Sequence, residues 1–410
     1  MAMHAKLTPE IRRQIRKKAM NRDRICILHL IQRYYRRGAE LFASQLSSSL
    51  ATRGFKNVLC SLYESDYDNF PISESVTSLS IGARQIDLPV KFGFQPLVLL
   101  KLINIFRKLE PDVVLAHGSD SLKYAALAGR FYSIPVTVYR NIGIVSFWVR
   151  NPLKAWVNRK LMQWIDVVVS VSQVAREDFL KFYRLSPDMA IVIPNAIDMG
   201  EYQDLDIGRL RFQMRQKLGL MEKDTVLISV GNLSSEKNQG DLLRLVKELE
   251  EMSPHLVLVG DGPLRQKLEQ QTKEFGIQKR VHFLGLQSHV APLLAASDIF
   301  LLPSRSEGMP AVLIEAGMAG LPSVAYDVGG VREVMEPNIT GIIVSPHCYE
   351  EFKSAVVSLL KDPKKRQRLG SSARWRYPEH FAIEKVAGEY EALLLKLLKS
   401  RRKEGQWTHE

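Results

Sequence analysis

The residues of this chain best suited to chemistry are two glutamates, Glu307 and Glu315, which stand eight residues apart. The run 298–303 before them predicts a short buried strand, and Pro310 suits the first turn of a helix. A strand that turns on glycine and opens a helix presents free backbone N–H groups and a positive dipole end to an anion. The carboxylates can therefore hold two polar parts of one phosphate-bearing ligand, although the bare pair favours an ordinary strand–helix unit with solvated glutamates.

The longer string from 302 to 331, LPSRSEGMPAVLIEAGMAGLPSVAYDVGGV, resembles the E-x7-E donor-site motif of the family 4 glycosyltransferases. That family has the two-domain glycosyltransferase-B fold, so the resemblance implies this fold and a nucleotide-sugar donor. It also implies that Glu315 binds the ribose hydroxyls, and that Glu307 binds the sugar and phosphates together with the backbone of the turn. The turn residues are Gly308, Met309, Pro310 and Ala311.

The loop 231–238 follows a predicted strand, and ligands of open parallel sheets bind at the carboxyl ends of strands. Its Lys237 can place a point charge on a diphosphate, although a lone loop lysine is usually only solvated. In the family, an arginine directly after Gly231 and a lysine five residues further on bind the donor diphosphate. Lys237 matches the lysine, whereas Asn232 replaces the arginine and can hydrogen-bond a phosphate without neutralising it.

Further segments of the second half also match the family. The G-D-G-P turn with Gly260 and Gly262 resembles the segment beside the nucleotide, although such a turn alone is weak evidence. The strand 281–285 resembles the one whose following loop lines the base pocket, which implies that Leu286 lies near the nucleobase. The remaining matches are Gly329, Gly330, the segment 338–341, and the interdomain string 194–198, in which Ala196 replaces a glycine.

The first half matches less fully. The segment R-R-G-A-E around Gly38 resembles a turn that approaches the donor phosphates, with Arg37 in place of its first glycine. The alternative is a basic helix N-terminus in which Glu40 favours the dipole. His117 ends a predicted strand and matches the family's active-site histidine, although a lone histidine is more often structural.

The resemblance implies a retaining glycosyltransferase of polysaccharide or glycoconjugate biosynthesis. We expect it to move a sugar from a nucleotide-diphosphate sugar, UDP-linked in the first instance, to a hydroxyl of a glycan or lipid-linked acceptor. His117, Lys237 and Glu307 are the predicted catalytic residues. Because no DxD pair ends a strand, we expect neither a metal nor a cofactor.

Three other functions fit parts of the sequence. A nucleotide-sugar epimerase has the same fold, and only analysis of the product separates it from a transferase. A donor-binding pseudoenzyme at the membrane surface is suggested by Asn232 and Arg37, which weaken two phosphate contacts. A nucleic-acid module is disfavoured because the basic residues lack an aromatic-interleaved motif.

Length and composition agree with two domains. A chain of 410 residues accommodates two cores of roughly 200 residues each. No apolar run approaches the roughly 20 residues that span a bilayer, and the basic first 24 residues lack the apolar core of a secretory signal. The three scattered cysteines suit a reducing compartment. We therefore expect a cytoplasmic protein, with peripheral attachment to the inner face of the membrane as an open question.

The positive charge is concentrated in the first half. Residues 1–200 contain 28 lysines and arginines against 16 acidic residues, a net +12, whereas residues 201–410 contain 29 against 28, a net +1. This asymmetry predicts an anionic membrane or an acidic acceptor facing the first domain. The alternative is that the positive charge serves only to keep the protein in solution. The first contact is expected at 7–24, with Ile11, Ile15 and Met20 as apolar anchors. In the aromatic segment that follows, Trp148 is expected to be exposed and Trp156 and Trp164 to face the core.

Strand-like and helix-like segments alternate along the chain, which predicts an α/β protein of two Rossmann-like, doubly wound domains facing across a cleft. The expected parts are a basic extension (1–24), an acceptor-side domain (25–200), a nucleotide-sugar-binding domain (201–380), and a C-terminal helix with a basic tail (381–410). The predicted linker lies within 199–223, and the resemblance implies that a last helix (383–399) crosses back to the first domain. The predicted strands are 25–31, 57–62, 112–116, 135–139, 166–171, 225–230, 255–260, 281–284, 299–302, 323–325 and 342–344, and the first helix is 39–50.

Overall fold

The computed structural model describes residues 24–35, 37–64, 70–84, 94–203 and 206–406. The predicted membrane contact at 7–24, with Ile11, Ile15 and Met20, therefore lies outside the described residues except for Arg24. The same holds for Arg36 and for the end of the basic tail from residue 407.

The first domain contains a sheet of seven parallel strands in the order β3-β2-β1-β4-β5-β6-β7. Five of them coincide with predicted strands, whereas the short or edge strands β3 and β7 were not predicted. Polar residues interrupt β3, and β7 has only three residues, so neither carries a strong apolar signal. The strands are β1 (Cys26–Ile31), β2 (Lys56–Tyr63), β3 (Val76–Ala83), β4 (Val113–His117), β5 (Val136–Asn141), β6 (Val167–Ser170) and β7 (Ala190–Val192).

The second domain contains six parallel strands in the order β10-β9-β8-β11-β12-β13, and every one was predicted to within two residues. These strands are β8 (Val226–Val230), β9 (His255–Val259), β10 (Val281–Gly285), β11 (Ile299–Leu302), β12 (Ser323–Tyr326) and β13 (Gly341–Val344). Their side chains are mostly buried because helices cover both faces of a parallel sheet.

Helices connect the strands of both sheets. In the first domain they are α1 (Gly38–Thr52), α2 (Pro96–Leu109), α3 (Ser119–Tyr132), α4 (Val145–Trp148), α5 (Pro152–Leu161) and α6 (Gln173–Tyr183). The later helices are α7 (Gly200–Gln203), α8 (Ile207–Lys217), α9 (Gly240–Glu248), α10 (Arg265–Glu274), α11 (Ala291–Ala296), α12 (Ala311–Met318), α13 (Val331–Val334), α14 (Tyr349–Lys361), α15 (Pro363–Phe381) and α16 (Ile383–Gln406). Among the described residues, no helix combines the length and apolar character needed to cross a membrane.

The last helix crosses back to the first domain, as predicted. Val386, Tyr390 and Leu394 of α16 are buried in one apolar cluster with Phe42 and Leu46 of α1. The predicted linker contains α7 and α8, and its first residues Met199 and Tyr202 belong to the core of the second domain. The α/β architecture of two Rossmann-like domains is thus confirmed.

One prediction about the aromatic segment is correct and another is wrong. Trp148 is 56% exposed, as expected, but Trp156 and Trp164 are 57% and 38% exposed rather than core-facing. Helix α5 packs on the first domain through Ala155, Val157 and Leu161 instead. Because Trp156 lies on the opposite face of this short helix, it points away from the core.

In each sheet the chain order reverses at the centre. The reversal lies between β1 and β4 in the first domain and between β8 and β11 in the second. Ligand crevices of doubly wound sheets lie outside the carboxyl ends of the strands at such points. A ligand site is therefore expected in the loops that follow these four strands.

Candidate active site

The turn between β11 and α12 carries the two glutamates. Pro310 is the N-cap of α12, and Leu313, Ile314 and Ala316 bury the apolar face of that helix. Glu315 lies in the second turn and is half-buried, whereas Glu307 is 7% exposed at the turn before the helix. The strand and the buried helix face thus fix the positions of both carboxylates.

Lys237 and Glu307 form an ion pair between the loops that follow β8 and β11. Lys237 Nζ donates a hydrogen bond to Glu307 Oε1 at 2.6 Å, and the two side chains are 22% and 7% exposed. A backbone hydrogen bond from Arg305 to the Glu236 carbonyl, at 2.7 Å, joins the same loops. The structure therefore places two of the three predicted catalytic side chains in contact.

The electrostatics of this pair favour the charged form of the lysine. Burial disfavours that form, but the charge and hydrogen bond of Glu307 outweigh it, so the pKa of Lys237 lies above its usual value. Burial raises the pKa of the neighbouring Glu236 to about 7, although the charge of Lys237 acts in the opposite direction. The crevice thus holds a charged lysine at neutral pH.

The glycines of the β8 and β9 loops allow these loops to touch. A methyl group on Gly260, whose φ is +127°, would lie 2.1 Å from the Gly231 carbonyl oxygen. One on Gly262 would lie 2.5 Å from the Leu233 carbonyl oxygen and 2.6 Å from Asn232 Oδ1. Any side chain at Gly260 or Gly262 would separate the loops, and Asn232 is exposed at their edge.

Two other predicted donor contacts lie at exposed positions. Leu286 follows β10 and is 52% exposed, and the backbone N–H of Gly260 donates to the adjacent Gly285 carbonyl at 2.8 Å. Gly38 opens α1, and a methyl group placed on it would meet nothing within 4 Å. Packing therefore does not explain the glycine at position 38.

The turn that contains Glu307 also packs against the first domain. A methyl group on Gly308 would lie 2.1 Å from the Ile142 carbonyl oxygen and 2.9 Å from Gly143 Cα. Ser172 Oγ donates to the Gly308 carbonyl at 2.7 Å. These contacts hold the turn of Glu307 and Gly308 against the first domain across the interdomain cleft, and none of the three partner residues was identified from the sequence.

Asn195 is the most informative residue that sequence reasoning missed. Its Nδ2 donates to the Met309 carbonyl at 2.5 Å, and its Oδ1 accepts from the buried Arg140. Arg140 is 0% exposed and lies over the Phe42 ring at 3.7 Å. Asn195 belongs to the interdomain segment 194–198. The sequence pattern matched this segment to the family but predicted no contact for the Asn195 side chain.

His117 lies at the carboxyl end of β4 in a buried histidine pair. His29 Nε2 is 3.0 Å from Asn57 Oδ1, and His29 Nδ1 is 3.3 Å from His117 Nε2. Burial lowers the pKa of His29 to about 4, and burial with the charge of Arg140 holds the pKa of His117 well below its usual value. Both rings are therefore neutral at pH 7.

This geometry assigns the tautomers of the pair. Asn57 Oδ1 can only accept, so His29 Nε2 donates and His29 Nδ1 accepts from His117 Nε2. The remaining His117 Nδ1 is an acceptor, buried and without a partner among the described residues. It is suited to receive a hydrogen bond from a hydroxyl group.

Glu40 adds a titratable group to the same part of the first domain. It lies in the first turn of α1 and is 8% exposed. Burial raises its pKa to about 7, although the charges of Arg37 and Arg140 oppose the shift.

Among the described residues, no group of three or more histidine, cysteine or acidic side chains is arranged to hold a metal ion.

Comparison with known proteins assigns both halves of the chain. A family model described as "Glycosyltransferase Family 4" matches residues 36–201, and one described as "Glycosyl transferases group 1" matches residues 211–376. N-acetyl-alpha-D-glucosaminyl L-malate synthase of Bacillus anthracis is 32% identical over 235 residues, or 57% of this chain and 60% of that protein. The UDP-Gal:alpha-D-GlcNAc-diphosphoundecaprenol alpha-1,3-galactosyltransferase of Escherichia coli is 25% identical over 278 residues, or 64% of this chain and 70% of that one.

A solved structure matches nearly the whole described fold. Anabaena HepE in complex with UDP-glucose superposes with a TM-score of 0.77, at 22% identity, over 92% of this chain and 100% of that one. At this identity the likeness shows a common fold of two Rossmann-like domains.

Proposed function

We propose, from the premise that this chain belongs to family 4 of the glycosyltransferases, that it transfers a sugar from a UDP-sugar to a hydroxyl of a glycan or lipid-linked acceptor. We further propose that the transfer retains the anomeric configuration and needs no metal ion. Membership accounts for the glycosyltransferase activity and the fold, whereas the donor, acceptor and stereochemistry are the proposal.

The observation that carries the proposal is the Lys237–Glu307 pair at the crevice of the second sheet. A donor bound there would bring its diphosphate to Lys237 and to the start of α12, where helix N–H groups are positive. Preorganised positive groups stabilise the charge that develops on a departing diphosphate. Lys237 and the helix N-terminus would thus take the part that a metal ion takes elsewhere.

The remaining predicted residues would bind the rest of the donor. Glu315 would take the ribose hydroxyls, Leu286 and the loops of Gly260 and Gly262 would line the nucleoside, and Glu307 would face the sugar. His117 Nδ1 has an acceptor lone pair for a hydroxyl of the transferred sugar. Because the pKa of His117 is strongly lowered, we assign it a hydrogen-bonding role rather than that of a cation.

The proposed reaction breaks the bond between the anomeric carbon and the diphosphate oxygen and forms one from that carbon to the acceptor oxygen. The departing oxygen accepts the proton of the acceptor hydroxyl on the same face of the sugar. This route gives retention, and it requires a stabilised leaving group more than a strong protein base.

Support for the donor and acceptor comes from related proteins. HepE has been crystallised with UDP-glucose, and the name of the Escherichia coli relative specifies a UDP-galactose donor and a diphosphoundecaprenol-linked acceptor. The basic first domain suits an anionic acceptor or membrane surface. We therefore propose a cytoplasmic location, with peripheral attachment at the inner face of the membrane.

The test is a panel of UDP-, GDP- and ADP-sugars assayed by thermal shift and by release of nucleoside diphosphate. A ligand at a hundred times its dissociation constant adds about 2.7 kcal/mol to stability, so the true donor should be evident. We expect a UDP-sugar to stabilise the protein and Glu315→Gln to abolish this stabilisation. Stabilisation by another base would refute the UDP assignment, and interconversion of sugars without acceptor would indicate an epimerase.

A further inference from the structure

One exposed surface of the first domain is not explained by donor binding. Leu153 and Trp156 on α5 are 50% and 57% exposed, and Trp148 on α4 is 56% exposed. Leu153, Trp156, Arg159 and Lys160 share one face of α5, and we call this face the α5 surface. Exposed tryptophans combined with basic side chains are typical of sites that contact lipid headgroups and the acyl boundary.

The chain segment that carries the α5 surface is basic. Residues 142–165 include four basic side chains, Arg150, Lys154, Arg159 and Lys160, and no acidic one. Lys160 Nζ lies 5.9 Å from the centre of the Trp156 ring, so cation and aromatic ring occupy the same patch. An anionic lipid surface complements this pattern, whereas a second copy of the same positive face would be repelled.

A groove beside Trp156 also combines basic and apolar side chains. It has a volume of about 480 Å³, and its walls include Arg159 and Lys160 as well as Met162, Leu185 and Met189. Cations and apolar side chains in one groove match a molecule with an anionic head and apolar tails. The apolar walls of the groove favour a lipid over a nucleic acid, because a sugar-phosphate backbone has no apolar tail to fill them.

The exposed Trp148, in the helix before α5, lies beside the cleft. A methyl group on Gly143 would lie 3.6 Å from Trp148 Nε1, and Gly143 itself packs against the turn at Gly308. Trp148 therefore marks the cleft end of the chain segment that carries the α5 surface. A membrane against this surface would bring an acceptor at the lipid headgroups to the mouth of the cleft.

We propose that the α5 surface docks the protein on an anionic phospholipid bilayer, with Trp156 and Leu153 inserted at the headgroup level and Arg159 and Lys160 paired with lipid phosphates. The docking rests on exposure and charge alone. Its purpose, to present a lipid-linked acceptor to the cleft, rests on the proposed function.

A matched pair of variants of the full chain tests the location. The surface variant combines Trp156→Ala, Arg159→Glu and Lys160→Glu. The control variant combines Trp375→Ala, Lys364→Glu and Arg368→Glu on α15 of the second domain, where Trp375 is 76% exposed. Both lose one exposed tryptophan and two exposed cations, and both retain the basic residues before position 24.

The assay is co-sedimentation with vesicles of phosphatidylcholine, with and without phosphatidylglycerol, at low and high salt. We expect wild type and control to bind the phosphatidylglycerol vesicles alike, with binding lost at high salt. The surface variant should bind at least about tenfold more weakly, since each cation near an anionic bilayer contributes a large part of the attraction. UDP affinity should be equal in all three proteins.

Several outcomes would overturn the proposal. These are wild-type binding by the surface variant, an equal loss in the control, or no binding by wild type at low salt. Self-association of the wild type that the surface variant abolishes, without vesicle binding, would identify a second copy as the occupant. Vesicle binding by a protein that fails to bind any nucleotide would instead refute the proposed function and leave the surface assignment standing.

Discussion

Replacing Lys237 by methionine should separate the structural role of this lysine from its proposed role in donor binding. Methionine keeps the length of the side chain but removes the charge that pairs with Glu307 at 2.6 Å. Glu307 is only 7% exposed, so the variant leaves a nearly buried carboxylate without its cation. Two further variants, Glu307→Gln and the double variant, complete a thermodynamic cycle.

The expected loss of stability follows from the burial of the pair. Removing one partner of a buried ion pair costs about 3–5 kcal/mol. Because Lys237 retains 22% exposure, we expect the lower end, about 3 kcal/mol. For a domain of this size, 1 kcal/mol shifts Tm by roughly 2–4 °C, so the second domain should melt about 6–12 °C lower. The double variant leaves no unpaired charge and should recover most of this loss.

Donor binding should respond differently. Loss of a hydrogen bond to a charged group costs about 1.5–3 kcal/mol, so UDP affinity should fall roughly 10- to 150-fold in Lys237→Met. The double variant should bind UDP as poorly, because a phosphate still meets no cation. Calorimetric unfolding and UDP titration of all four proteins provide the two measurements.

Either of two results would refute this reasoning. An unchanged Tm for Lys237→Met would mean that the pair is not coupled in the folded protein. Wild-type UDP affinity in the stable double variant would mean that Lys237 does not contact the diphosphate.

Four other predictions follow from the same geometry. EDTA should leave transfer activity intact, and loss of activity restored only by manganese or magnesium would contradict the metal-free mechanism. Asn232→Arg should tighten UDP binding in calorimetry, because an exposed guanidinium at this position can form a bidentate phosphate contact. Equal or weaker binding would show that this loop does not contact the diphosphate. Asn195→Ala should lower the transfer rate more than the UDP affinity, because Arg140 and the Met309 carbonyl lose the link that joins the domains; proportional losses in both would indicate a purely structural role. Glu40 has a folded pKa of about 7 against 4.5 for the free side chain, so its protonated form stabilises the fold below pH 4.5 and this contribution is lost as the pH rises through 7. In urea denaturation, the free energy of unfolding of Glu40→Gln should therefore exceed that of the wild type by up to about 3 kcal/mol at pH 8 and differ little at pH 4. Parallel pH profiles of the unfolding free energy in the two proteins would contradict the shift.

The elements of the second domain could be predicted because their signals are local. Strands such as 299–302 are continuous apolar runs, and glycines such as Gly260 stand where two loops come so close that a methyl group would lie 2.1 Å from a carbonyl oxygen. The edge strand Val76–Ala83 escaped prediction because polar residues break its apolar pattern. The prediction that Trp156 faces the core was wrong because Ala155, Val157 and Leu161 form a separate apolar face of the same helix, and that face packs on the domain instead.

The sequence by itself determined the alternation of strands and helices, because apolar periodicity is a property of neighbouring residues, and its resemblance to the family 4 glycosyltransferases indicated the loops of the candidate site. Tertiary structure alone decided which side chains of that site meet. Lys237 pairs with Glu307 across 70 positions, and Asn195 joins the first domain to Met309 across 114. Such contacts depend on how two sheets and a linker pack together, and the spacing of residues along the chain does not predict which distant residues come close in space. The same packing turned Trp156 outward and placed Trp148 beside the cleft.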